Sequence, residues 1–104
     1  VRDGTAEQKE NAAGALQDLA SNADNQVAIA QAGGIPLLVA LALVGTDRQK
    51  LYAAAALGRL ARNKDNIVAI AQAGGIPPLV ALVRDGDGRP ETIRRRRAAY
   101  SRRE

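Results

Sequence analysis

Val27-Ala28-Ile29-Ala30-Gln31-Ala32-Gly33-Gly34-Ile35-Pro36 recurs without a gap as Val68-Ala69-Ile70-Ala71-Gln72-Ala73-Gly74-Gly75-Ile76-Pro77. The flanks follow the same displacement of 41 residues. Asp24-Asn25 returns as Asp65-Asn66, and Leu38-Val39-Ala40-Leu41 as Leu79-Val80-Ala81-Leu82. Upstream, Gly4-Thr5 and Gln8-Lys9 return as Gly45-Thr46 and Gln49-Lys50. Roughly two thirds of the aligned positions are identical, far above chance for an internal repeat. Two periods on, Val1-Arg2-Asp3-Gly4 returns as Val83-Arg84-Asp85-Gly86. A repeat of this length is a supersecondary unit that buries its apolar face by stacking on its neighbours.

Each unit reads as three helices. The first is expected to begin at Asp24 or Asp65, whose side chains suit an N-cap, and to stop at the Gly-Gly pair. Gly33 and Gly74 can adopt the left-handed conformation that ends a helix. The second opens at Ile-Pro, with Pro36 and Pro77 in the first turn, where a missing N–H costs nothing. It is apolar from Leu37 to Val44, which predicts burial on most sides. The third opens with Thr5-x-x-Gln8 or Thr46-x-x-Gln49, the spacing of a capping box. Its apolar residues, Ala12, Ala13, Leu16, Leu19 and Ala20 and then Ala53, Ala54, Leu57, Leu60 and Ala61, recur at three and four and share a face. The predicted helices are 5–21, 24–32, 35–44, 46–62, 65–73 and 76–85.

A short helix, a Gly-Gly-Ile-Pro corner, an apolar second helix and a capped long third helix resemble the armadillo repeat, over residues 1–86. The period lies at the low edge of the ~40–47 residues of armadillo and HEAT units; HEAT units usually have two helices and lack this corner. The resemblance implies an all-α, right-handed α-solenoid of about two and a half three-helix repeats. Residues 1–21 would be the third helix of a partial repeat, 22–62 a complete repeat, and 63–86 the first two helices of the next. It also implies that third helices line a concave groove binding peptides or partner proteins.

Composition narrows the chemistry. Apolar residues make up 46% of the 104, yet Phe, Trp, Met, Cys and His are all absent. With no Cys or His, there is no thiolate nucleophile, no imidazole base and no disulfide, and the commonest metal ligands are missing. No cofactor, metal or catalytic residue is expected. No apolar run approaches the ~20 residues of a membrane span. With no Met, the sequence reads as part of a longer or processed chain. Lack of cysteine fits a reducing compartment, so the expected location is intracellular, cytoplasmic or nuclear. Seven basic and seven acidic residues balance over 1–83, whereas 84–104 hold eight arginines against four carboxylates. The body therefore lacks the broad basic surface of a nucleic-acid binder, and nucleic acid is disfavoured as a partner.

Candidate carboxylate pairs such as Glu7 with Glu10, or Asp24 with Asp65, fall at capping and surface positions and read as solvated. In peptide-binding armadillo proteins a Trp and an Asn on the third helix form ladders along the groove. The alignment puts Gly14 and Ala55 at the Trp position, and Asp18 and Arg59 at the Asn position. Both ladders are missing, which puts that mode of backbone recognition in doubt. The remaining candidates on this face are Glu7, Glu10, Asn11, Gln17 and Asp18, then Arg48, Leu51, Tyr52, Arg59 and Arg62. The first third-helix is acidic there and the second basic, and Tyr and Arg are typical interface anchors. Ordinary solvated variation between repeats accounts for the same pattern.

Arg94, Arg95, Arg96 and Arg97 stand where a third helix would continue, without its apolar face. The stretch 87–104 is thus a basic tail or degenerate third helix: an import signal, a nucleic-acid contact, an arm for an acidic partner, or merely a polar terminus. Two functions follow. One is a protein-interaction scaffold using the third-helix face; the other is a self-assembling solenoid fragment, stacked head to tail or exchanging helices through uncapped apolar ends.

Overall fold

The computed structural model describes residues 5–85, and all of its regular structure is helical. In chain order the helices are α1 (Ala6–Leu19), α2 (Ala23–Gln31), α3 (Gly34–Val44), α4 (Asp47–Leu60), α5 (Lys64–Gln72) and α6 (Ile76–Arg84). Each begins and ends within two residues of its expected bounds. Residues 1–4 and the tail 86–104, with Arg94 to Arg97, lie outside the described residues.

Local chemistry fixes the corners. Gly33 and Gly74 have φ of +82° and +83°, and both sit in open space. A left-handed residue here turns the chain by 85° between α2 and α3 and by 88° between α5 and α6. The second glycine of each pair is needed for a different reason. A Cβ on Gly34 would lie 2.7 Å from Ile29 Cγ2, and one on Gly75 2.6 Å from Ile70 Cγ2. Both third helices open on the expected capping box: Thr5 and Thr46 accept from the N–H groups of Gln8 and Gln49, whose side chains accept from the threonine N–H groups.

Two expectations need correcting. Asp24 and Asp65 are not the N-caps of α2 and α5; Asn22 and Asn63 are. Asn22 Oδ1 accepts from the Asn25 N–H at 2.8 Å, and Asn63 Oδ1 from those of Asp65 and Asn66 at 2.9 and 3.1 Å. A cap must lie just outside the helix with extended φ and ψ, which these asparagines have. The aspartates occupy the first turn, where a carboxylate meets the positive end of the helix dipole. The second correction concerns α3. Ile35, Leu38, Val39 and Ala42 are buried, but Leu37, Leu43 and Val44 are exposed, because α4, α5 and α6 pack on one side only.

The core is a layer of small aliphatic side chains. Leu38, Leu57 and Leu60 are its largest fully buried members. α4 lies against both α3 and α1, so it is the central element of the described fold. Ala13 of α1 and Ala20 at its C-cap are buried, while Ala12 and Leu19 remain exposed.

Candidate functional site

The third helices α1 and α4 lie side by side. Arg48, Tyr52 and Arg59 fall at spacings of four and seven, a single stripe of α4. Opposite them on α1 stand Glu10, Gly14 and the pair Gln17 and Asp18. The two stripes meet rung by rung. Arg48 lies 4.0 Å from the Glu10 carboxylate. The Tyr52 ring covers Gly14: a Cβ there would stand 3.9 Å from Cδ2 and Cε2. Arg59 reaches furthest, with Nη1 donating to the Gln17 carbonyl and, at 3.2 Å, to Ser21 Oγ, and lying 4.0 Å from Asp18 Oδ1.

These rungs divide the ten candidate residues, nine on α1 and α4 and Arg62 just past α4. Glu10, Gln17, Asp18, Arg48, Tyr52 and Arg59 form the α1–α4 seam. Glu7, Asn11, Leu51 and Arg62 are exposed, and none makes a side-chain hydrogen bond or ion pair among the described residues. The acidic and basic character of the two helices thus arises from one helix complementing the other. Exposed ion pairs of this length contribute little to stability, about 0–1 kcal/mol each. Arg59 is anchored more firmly, because a charged donor to a backbone carbonyl makes a stronger bond than a neutral one. The absent ladder residues also find a physical reading. Gly14, at the Trp position, leaves the space that the Tyr52 ring fills, and Arg59, at the Asn position, turns its donors back onto α1.

Three buried amides hold helices together in a way the sequence pattern did not show, although Gln49 was expected in its capping box. Gln49 is buried; its Oε1 accepts from Thr46 N–H at 2.9 Å while its Nε2 donates to the Ala6 carbonyl at 2.8 Å. Gln26 is buried and donates to the Ala20 carbonyl at 3.1 Å. Asn66 donates in turn to the Gln26 carbonyl at 3.1 Å. The Ala20 carbonyl, at the C-cap of α1, is one that no intrahelical N–H reaches, and each of these buried amides finds a backbone partner. The signal was available: Gln8 and Gln49, and Asn25 and Asn66, recur in register. Their role was hidden because the first copy of each faces solvent or a half-open edge.

No group of three potential metal-ligating side chains occurs among the described residues. No single described helix is long and apolar enough to cross a membrane.

Comparison with curated proteins and with solved structures returned no match. The armadillo/beta-catenin-like repeat model matches residues 22–62 and 63–94, more than half of the chain. Both matches begin at the asparagine caps, Asn22 and Asn63, and the first ends where α4 gives way to α5. With the period, the glycine corners and the helix order in agreement, the chain belongs to the armadillo/beta-catenin-like repeat family.

Proposed function

We propose that the protein is a non-catalytic interaction scaffold that binds a protein or peptide on the α1–α4 face. Armadillo repeats generally serve as protein-interaction scaffolds. The observation that carries the finer reading is the exposed set beside the seam. Leu51 is a partly exposed large apolar side chain on α4, which also carries exposed Arg48, and exposed Arg62 lies two residues past the end of that helix. The seam holds Tyr52 and Arg59 in fixed positions next to them. Pre-ordered side chains lose little entropy on binding, which favours this surface over a mobile one. Its chemistry suits a segment offering an apolar side chain to Leu51 and a carboxylate to Arg62.

Selection of displayed random peptides on the protein tests this. Affinity of the selected peptides should fall about tenfold or more for Leu51→Asp and for Arg62→Glu, the loss of one good contact. It should stay unchanged for Gln31→Glu, on the exposed side of α2. Peptides that bind all three variants equally would overturn the assignment to this face.

A further inference from the structure

The repeat allows each residue to be compared with itself 41 positions later. Ile35 is 3% exposed and Ile76 58%; Ala42 is 3% and Val83 81%. Val39 is buried and Val80 exposed; Gln26 is buried and Ile67 exposed. In the first copy α4, α5 and α6 cover these positions. In the second copy no described helix does, so Ile67, Ile76, Val80 and Val83 form an apolar tail face. The opposite end mirrors it. Leu60 is 0% exposed but Leu19 51%; Ala53 and Ala56 are buried but Ala12 and Ala15 exposed; Pro78 is buried but Leu37 exposed. Leu16, Leu19, Ala28 and Ile29 line an open hollow on this head face, and Ala12, Leu37 and Leu41 line another beside it.

We propose that the two faces bind each other between copies: α1 of a second molecule takes the third-helix place against α6, head to tail. Residue identity argues for this occupant. The four buried apolar side chains of α4, Ala53, Ala56, Leu57 and Leu60, are matched without change by Ala12, Ala15, Leu16 and Leu19 of α1. The receiving positions Ile35 and Leu38 are matched by Ile76 and Leu79. The connection entering the third helix is matched too, since Val83-Arg84-Asp85-Gly86 repeats Val1-Arg2-Asp3-Gly4. The chain's own tail is a poor rival in that register. It would put Arg94, Arg97, Ala98 and Ser101 at the places of Ala53, Ala56, Leu57 and Leu60, and burying two unpaired guanidinium groups is strongly unfavourable.

Charge points the same way. An incoming α1, bearing Glu7, Glu10 and Asp18, would lie beside the α4 that bears Arg48, Lys50 and Arg59, with Arg62 just past its end. The Arg59–Asp18 rung would form again between molecules, and the Gln8 side chain would meet the Asp47 carbonyl as Gln49 meets that of Ala6. The incoming α2 and α3 would cover Ile67 and Val80, as α5 and α6 cover Gln26 and Val39. Because the two faces differ, the contact is heterologous and generates open chains rather than closed dimers.

The test uses one defect per face, each at an exposed position: Leu19→Arg on the head and Val83→Arg on the tail. Light scattering of the wild-type chain should show mass growing past the dimer with concentration. Each variant alone should associate about tenfold or more weakly. An equimolar mixture should form a heterodimer of twice the chain mass and stop there, since the intact tail of one variant meets the intact head of the other. Leu37→Arg with Ile67→Arg provides a second pair should either first variant lose its helical circular dichroism. A monomeric wild type, a variant that still associates alone, or a mixture with no heterodimer overturns the proposal. Gln31→Glu, at a position exposed in both copies of the repeat, should leave this association within about twofold of wild type.

Discussion

Arg59 and Asp18 occupy the same position one repeat apart, and they face each other across the α1–α4 seam at 4.0 Å. Each helix thus carries one half of a charge pair whose other half is its own counterpart. The stronger part of the contact is the bond from Arg59 Nη1 to the Gln17 carbonyl. Arg59→Ala should lower stability by about 1 kcal/mol in urea unfolding, the usual net contribution of such a bond. Asp18→Ala should change it by less than about 0.5 kcal/mol, because that carboxylate is largely in solvent.

Gln8 and Gln49 close the same capping box, but only Gln49 is buried and bonded to Ala6 of the neighbouring helix. Glutamate preserves the box acceptor while removing the donor. Gln8→Glu should therefore leave stability within about 0.5 kcal/mol of wild type. Gln49→Glu sets a carboxylate against the Ala6 carbonyl in a closed site and should cost about 1–3 kcal/mol. Thermal unfolding of the two variants side by side reads the difference.

Element order was legible because caps, corners and period all repeat, so each boundary is marked twice. The asparagine caps were misplaced by two residues because Asn and Asp cap equally well, and only the backbone conformation of residues 22 and 63 decides between them. The candidate face was legible as a stripe but not as a seam. Spacing along α4 puts Arg48, Tyr52 and Arg59 together; it does not say that α1 lies against them. Identical apolar residues do not by themselves separate enclosed Leu60 from open Leu19. The expectation of an uncovered end comes from the missing first two helices of the partial repeat, since exposure depends on which neighbours each repeat has.

Leu60 and Leu19 make that dependence measurable. Leu60→Ala empties a closed core position and should cost about 2–5 kcal/mol. Leu19→Ala, at the same repeat position but half in solvent, should cost within about 0.5 kcal/mol under monomeric conditions. Urea midpoints at low protein concentration check both, and equal losses would mean that α1 is as enclosed as α4.

Glycine to alanine substitutions should separate in sign. At Gly33 a Cβ meets no atom within 4 Å, so crowding is not the issue; φ of +82° is. The left-handed conformation costs an L-residue about 1–2 kcal/mol, and Gly33→Ala should destabilise by that amount, as should Gly74→Ala. Gly14 and Gly58 lie inside α1 and α4 with no positive φ. A Cβ at Gly58 meets nothing, and one at Gly14 makes ordinary contact with the Tyr52 ring at 3.9 Å. A helix-interior glycine is worse than alanine by about 0.5–1 kcal/mol, so Gly14→Ala and Gly58→Ala should each stabilise by about that much. Gly14→Trp sharpens the point, because its indole must occupy the space the Tyr52 ring now fills. It should destabilise, and pairing it with Tyr52→Ala should recover part of the loss. A double-mutant cycle measures the coupling between the two positions. Zero coupling would mean that Tyr52 does not rest on Gly14 in solution.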